Sequence, residues 1–294
     1  MLPPEILKYV RRLQWRSRRV VQGVLGGVYH SVFRGTGLTF EEVREYQPGD
    51  DIRMIDWNVT ARTGTPFVKR YVEDRERTLI LLVDLSASVF FGTQTRTKLQ
   101  VGAELAALLV LSAVANHDRV GLITFTDRVE RCFRPAKGLR HALTLIRSIL
   151  FPEPIGRGTQ LAPALDFLNK VQQRRAVVFV LSDFFDEGFD KPLQIAARRH
   201  DLTLIRLRDP VETRPLPPGL YWLEDAESGE QRLIDMRSSA VRVEFARCVQ
   251  ANLGAFPKGR LRPFHVIDVS TEGGHIDVLI RYFQRRQQQG SRPR

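Results

Sequence analysis

The sequence predicts an α/β fold, a doubly wound and mostly parallel sheet. Three observations carry that expectation. Two apolar, β-prone runs, 78–83 and 176–181, read as strands buried on both faces, as in a parallel sheet covered by helices. The first is followed by Leu99, Ala103, Ala106, Leu109, Val110 and Ala113 at helical spacing. Strands and helices then alternate to about residue 207, the order of βαβ units.

Each element can be justified in turn. Residues 6–21 predict a short helix, with Ile6, Leu7, Val10 and Leu13 on one side and Pro3 and Pro4 where a helix start tolerates proline. A glycine-rich stretch, 23–37, follows. Residues 38–77 lack clean periodicity and predict irregular structure with short strands. Beyond strand 78–83 and helix 98–115, strands 120–125 and 129–133 flank Thr126-Asp127-Arg128 as a hairpin. Helix 139–150 stops before Pro152 and Pro154, and Gly156-Arg157-Gly158 is a loop. Helix 161–171, strand 176–181, a helix near 191–199 and strand 202–207 complete the alternation. A proline-rich connector, 209–219, leads to a hairpin (221–223 with 232–235) and a helix at 239–251. Strand 264–269 is expected to rejoin the sheet, and 275–286 to form the last helix. The domain organisation read from this is an N-terminal basic helix and extension (1–77), an α/β domain (78–286) with an insertion at about 210–262, and a flexible tail (287–294).

The chain has 294 residues, 43% hydrophobic and 27% charged, which excludes disordered and fibrous classes. Its two cysteines, Cys132 and Cys248, cannot build a disulfide framework and suit a reducing compartment. Both sit in apolar stretches and read as buried and inert. No apolar run has the length of a bilayer span, and the N-terminus lacks the apolar core of a secretory signal, so the expected location is cytoplasmic. The net charge of +12 lies mostly in the two ends, 1–21 and 276–294. Such ends can contact a membrane surface, nucleic acid or an acidic protein, although a solvated tail or helix face is the plainer reading. Gly92 to Lys98 lacks the second glycine of a phosphate-binding loop, and there is no HExxH or GxSxG. The six histidines lack zinc spacing, and no aromatic platform for stacking bases stands out.

One constellation carries chemistry. Strand 78–83 runs into Asp84-Leu85-Ser86-Ala87-Ser88, and the second apolar strand into Ser182-Asp183. Ligands of open α/β sheets bind beyond the carboxyl ends of the strands. If these strands are neighbours, Asp84 and Asp183 face one crevice, and the loop carrying Thr159 can add a hydroxyl. Asp84, Ser86, Ser88, Thr159 and Asp183 form an all-oxygen set suited to a hard cation such as Mg²⁺ or Mn²⁺. Ser and Asp after a strand also serve as caps and turn residues. An Asp183 turned inward onto an arginine would make the set structural only.

Asp84-x-Ser86-x-Ser88, Thr159 within Gly-x-Gly-Thr-x-Leu-x-x-Ala-Leu, and Asp183 after an apolar strand resemble the metal-ion-dependent adhesion site of von Willebrand factor A domains. The resemblance implies that both serines and the threonine ligate the ion, directly or by turns, with the two aspartates holding it largely through water. Phe184 stands where that family often has glycine. A second pattern precedes it: Gly35-x-Gly37-x-x-Phe40, then Arg44-Glu45-Tyr46-x-Pro48-Gly49-Asp50-Asp51-x-Arg53-x-Ile55-Asp56-Trp57-x-x-x-Ala61-Arg62. This resembles the DUF58 family, whose members carry a von Willebrand-like domain and are commonly encoded beside MoxR-type AAA+ ATPases. The resemblance implies a partner of that class, or its client. Within the box, Asp50, Asp51 and Asp56 lie among Arg44, Arg53 and Arg62, with Trp57 alongside. It reads as a second acidic site or partner surface, or more plainly as a charge-paired brace.

Three functions remain open on sequence. The favoured one is a non-enzymatic, metal-dependent module that takes a partner carboxylate on Mg²⁺. The alternative is a Mg²⁺-dependent hydrolase of phosphoryl or similar bonds, which lacks an obvious general base. The third is an adaptor acting through its basic ends, whose binding would fall steeply with salt.

Overall fold

The computed structural model describes residues 37–74, 77–214, 216–255 and 264–290. The helix expected at 6–21 and the glycine-rich stretch up to residue 36 lie outside them, as does 291–294. The chain divides into two units, Phe33–Arg77 and the remainder.

In the smaller unit, β1 (Gly37–Glu45) pairs antiparallel with β2 (Phe67–Asp74), with an irregularity between Phe40 and Glu42. These strands are longer than the short ones expected. Their backbones satisfy each other from Gly37↔Asp74 to Glu45↔Phe67, a pairing that local periodicity does not reveal. Between them lie a 3₁₀ turn (Ile52–Met54) and α1 (Trp57–Thr63). The Asp56 carboxylate accepts from the Asn58 and Val59 amides at 3.0 and 3.3 Å, capping α1. It also pairs with Lys69 at 3.4 Å. Asp51 caps the 3₁₀ turn through the Arg53 amide, and Arg44 grips Asp50 with two bonds of 2.8 and 2.6 Å. The three acids are thus occupied by caps and ion pairs, while Trp57 is 67% exposed. Arg53 and Arg62 are exposed at the ends of their helical turns.

In the larger unit the elements run β3 (Thr78–Asp84), α2 (Lys98–Ala115), β4 (Arg119–Phe125), β5 (Val129–Ala136), α3 (Leu139–Leu150), α4 (Leu161–Val171), β6 (Val177–Ser182), α5 (Asp190–Arg199), β7 (Asp201–Arg208), β8 (Leu220–Glu224), β9 (Gln231–Asp235), α6 (Ser239–Ala255), β10 (Phe264–Ser270) and α7 (His275–Gly290). The sheet order is β10-β7-β6-β3-β4-β5, with only β5 antiparallel to its neighbour. The chain begins at β3, proceeds outward through β4 and β5, and returns to β6 on the other side of β3. The point where strand order reverses therefore lies between β3 and β6, where an open sheet parts to form a crevice. The last strand rejoins the sheet beside β7, as expected. The β8–β9 hairpin forms a separate two-stranded sheet.

Alternation along β3 builds two cores. Ile80 and Leu82 face Leu165 and Leu168 of α4 and Leu193 of α5, while Leu79, Leu81 and Val83 point to the opposite face, where α2 lies. Among the described residues α2 is long and apolar enough to cross a membrane, but 78% of it is buried in the protein, as befits a core helix. The last helix continues to Gly290, into the span read as tail. Within it, Arg286 is partly buried and pairs with Asp201 at 2.5 Å, so part of the basic C-terminal end is structural.

Both cysteines are exposed, contrary to expectation. In the edge strand β5, Phe133 and Pro135 take the less exposed face, and the period of two turns Cys132 and Arg134 to the other face, toward solvent. On α6 the less exposed stripe runs through Val241, Phe245 and Val249, which leaves Cys248 beside it in solvent.

Candidate functional site

The crevice between β3 and β6 is assembled by the loops that leave their carboxyl ends. Asp84, the last residue of β3, is buried. Its Oδ1 accepts the Ser86 amide at 2.8 Å, and its Oδ2 accepts the Ser182 hydroxyl at 2.5 Å. The first bond turns the chain sharply after the strand, which brings the Ser86 and Ser88 hydroxyls within 3.0 Å of each other. Ala87 then donates its amide to the Arg157 carbonyl at 2.9 Å, tying this loop to the one that carries Thr159. That second loop is fixed from below. Glu130 accepts from the Gly156 and Ile155 amides and the Thr126 hydroxyl, and these bonds outweigh its burial to hold its pKa down. A Cβ at Gly156 would stand 2.2 Å from Asp127 Oδ1 and 2.3 Å from Thr126 Oγ1, so this close approach requires glycine. The third loop joins through Asp186, whose carboxylate accepts the Leu161 amide at 2.7 Å, at the start of α4.

Asp183 follows β6 and is buried beside Asp84, whose ionisation it opposes. The pKa of Asp84 is raised to about 7, by burial first and by the negative charge of Asp183 second, against the pull of its Ser182 and Ser86 hydrogen bonds. Asp183 Oδ2 meets Lys98 Nζ at 2.7 Å, and the same ammonium reaches Glu212 Oε1 at 2.6 Å. Lys98 begins α2, is 1% exposed, and lies 5.5 Å from the Phe185 ring centre. Burial alone would lower its pKa, but the two carboxylates outweigh that and hold it raised. Asp183 therefore turns onto an internal cation, although a lysine rather than an arginine.

Phe184 adopts φ +59°, the left-handed conformation that a side chain resists and glycine accepts freely. The departure at this position thus keeps the backbone geometry a glycine would give, at a cost of about 1–2 kcal/mol. Burial of the ring, which is 7% exposed and packs against Phe189 at 6.2 Å, holds it there.

Thr159 does not donate to the acid pair. Its hydroxyl donates to Glu227, in the turn between β8 and β9. Asp84, Ser86, Ser88 and Asp183 thus gather at one crevice, and Thr159 stands on the loop tied over it. Sequence reasoning missed Lys98, Ser182, Glu212 and Glu227. Lys98 had a signal: a lysine opening a helix that is mostly apolar, with only Gln100, Glu104 and Ser112 as other polar side chains.

With Asp84, Asp183 and Glu212 ionised and Lys98 charged, the linked group carries a charge of −2, which one divalent ion cancels. Burial is the first cause of the raised Asp84 pKa, and the nearby charge of Asp183 adds to it. Among the described residues no three acidic, His or Cys side chains converge as ligands, so a cation here depends on the serine and threonine hydroxyls. Oxygen donors of this kind fit Mg²⁺ or Mn²⁺, with water completing the shell.

Several known proteins are similar. Uncharacterized proteins of Mycobacterium bovis and Mycobacterium tuberculosis are each 33% identical over 252 residues, covering 85% of this chain and 79% of theirs. Among solved structures, the conserved hypothetical protein BatB from Bacteroides thetaiotaomicron is 14% identical, with a TM-score of 0.43, over 72% of this chain and 99% of its own. A von Willebrand factor type A structure from Catenulispora acidiphila is 9% identical, TM-score 0.40, over 76% and 44%. The proximal thread matrix protein 1 of the mussel byssus, described with a zinc-occupied MIDAS motif, is 16% identical, TM-score 0.35, over 45% and 38%. The family model for "Protein of unknown function DUF58" matches residues 42–253, and the chain belongs to that family.

Proposed function

We propose that this protein is a non-enzymatic, cation-dependent protein-binding module. A Mg²⁺ or Mn²⁺ ion would be held by Asp84, Ser86, Ser88, Thr159 and Asp183 and would take a carboxylate from a protein partner. The observation that supports this best is the buried acid pair Asp84 and Asp183 at the switch point of the sheet, with two serine hydroxyls beside it. When bound, the ion supplies an open coordination position for a hard oxygen ligand. The chain's own residues do the rest. Ser182 and the Ser86 amide orient Asp84, Lys98 holds Asp183, and the Ala87–Arg157 bond keeps the two hydroxyl-bearing loops together. The partner we propose is a MoxR-type AAA+ ATPase or its client, which is what the family resemblance read from the sequence implies.

The test uses Asp84→Asn, because Asp84 ends a buried strand and an isosteric amide preserves its shape. Wild type should gain thermal stability with Mg²⁺ according to its concentration over Kd, and the variant should gain none. Capture of an aspartate-bearing ligand by wild type should require the ion. Metal-dependent phosphatase, nuclease or NTPase turnover that disappears in Asp84→Asn would favour the hydrolase instead.

A further inference from the structure

The β8–β9 hairpin differs in charge from the rest of the chain. Residues 220–235 hold five acids, Glu224, Asp225, Glu227, Glu230 and Asp235, against Arg232, a net −4 in a protein of +12. Its two faces also differ. Strand alternation puts Leu220, Trp222 and Glu224 on one face of β8, with Leu233 of β9 directly opposite Trp222. Tyr221, Leu223 and Ile234 take the other face and are half-buried, and the buried Met236 donates its amide to the Gly219 carbonyl at 2.8 Å, closing the base. The first face is left to solvent: Leu220, Trp222 and Leu233 are 53%, 71% and 53% exposed. The acids divide as well. Glu230 pairs with Arg232, and Asp235 with Arg237, each at 2.9 Å. Glu224 instead accepts from the Gln231 side-chain amide, Asp225 from the Glu227 and Ser228 backbone amides, and Glu227 from the Thr159 hydroxyl. These three carboxylates are bonded by neutral donors, and their charge stands at the turn, at one end of the apolar band.

We propose that the exposed face of this hairpin is a docking surface for a basic amphipathic segment of a partner protein. Apolar side chains of the segment cover Leu220, Trp222 and Leu233, and its lysines or arginines lie toward Glu224, Asp225 and Glu227. Trp222 is the anchor, because an exposed indole offers a large apolar area to bury and a ring face that attracts cations. The excess of acid sets the sign of the partner, since a segment of like charge is repelled. Contiguous exposed apolar side chains rimmed by charge are the usual mark of such a surface. Nothing in this recognition needs a bound cation.

The experiment uses the full chain in chelator, so that its outcome is independent of the cation reading. The probe is a fluorescein-labelled peptide of leucine and lysine at helical spacing, and the control carries glutamate in place of each lysine. Fluorescence anisotropy follows binding to wild type, Trp222→Ala and Glu224→Lys, two changes at exposed positions of the hairpin. Wild type should bind the lysine peptide and not the glutamate one. Trp222→Ala should bind it about tenfold more weakly at low and high salt alike. Glu224→Lys should bind it about fivefold more weakly at low salt, a difference that shrinks as salt screens the charge. Equal affinity of wild type and Trp222→Ala, or equal binding of the two peptides, overturns the proposal. So does a dimer in sedimentation that Trp222→Ala dissolves, which would assign this face to a second copy of the chain.

Discussion

Replacing Asp84 by asparagine should remove a pH dependence that the wild type carries. A carboxyl ordinarily titrating at 3.8 but held at about 7 in the folded protein is destabilising once ionised. Below the ordinary value both folded and unfolded states are protonated, and no stability is lost. As pH rises, the unfolded chain ionises first, and stability falls until the folded group also ionises near 7. The full loss is about 4 kcal/mol, of which about 3 falls between roughly pH 5 and pH 8. Urea unfolding in chelator across that range should therefore show wild type weakening with pH relative to Asp84→Asn, with the gap growing by about 3 kcal/mol. Added Mg²⁺ should restore wild type at the alkaline end and leave the variant unchanged. A gap that stays constant with pH would refute the reasoning, since Asp84 would then be ionised and satisfied at neutral pH without an added cation.

Three further substitutions test the parts around it. Lys98→Met leaves the buried Asp183 and the half-buried Glu212 without their cation and should cost about 3–5 kcal/mol in urea unfolding. Phe184→Ala and Phe184→Gly both lose the packed ring, but only glycine relaxes the left-handed backbone, so by the same assay the glycine variant should be about 1 kcal/mol more stable than the alanine one. Gly156→Ala drives a Cβ into Asp127 and Thr126 and should displace the loop bearing Thr159, weakening Mn²⁺ binding about tenfold while hydrogen exchange in β3 and β6 stays unchanged.

The sheet and the core of the site were legible because their signals are local. Two apolar runs ending in acids, and a hydroxyl pattern two residues apart, can be read without knowing what packs where. The adjacency of β3 and β6 was only a condition of the sequence reading, and the sheet order supplies it. What remained hidden depends on contacts between distant residues. Lys98 and Asp183 are 85 positions apart, and Thr159 and Glu227 are 68 apart. No spacing rule links such partners; only the packed fold brings them together. The exposed cysteines show the same limit at short range. An apolar neighbourhood suggested burial, whereas the side of the strand or helix on which each thiol falls decided exposure. The long β1–β2 pairing was likewise invisible, since its strands lack the alternation that a half-buried sheet imprints.

The most direct measurement is an anomalous difference map from crystals soaked in Mn²⁺. A single peak within about 2–2.5 Å of the Ser86 and Ser88 hydroxyls, with Asp84 and Asp183 oriented toward it, is the result expected of a cation-dependent binding module. A map with no peak in this crevice, and with Lys98 still closed on Asp183, would contradict it and leave Asp84, Asp183 and Lys98 as an internal ion-paired brace of the sheet.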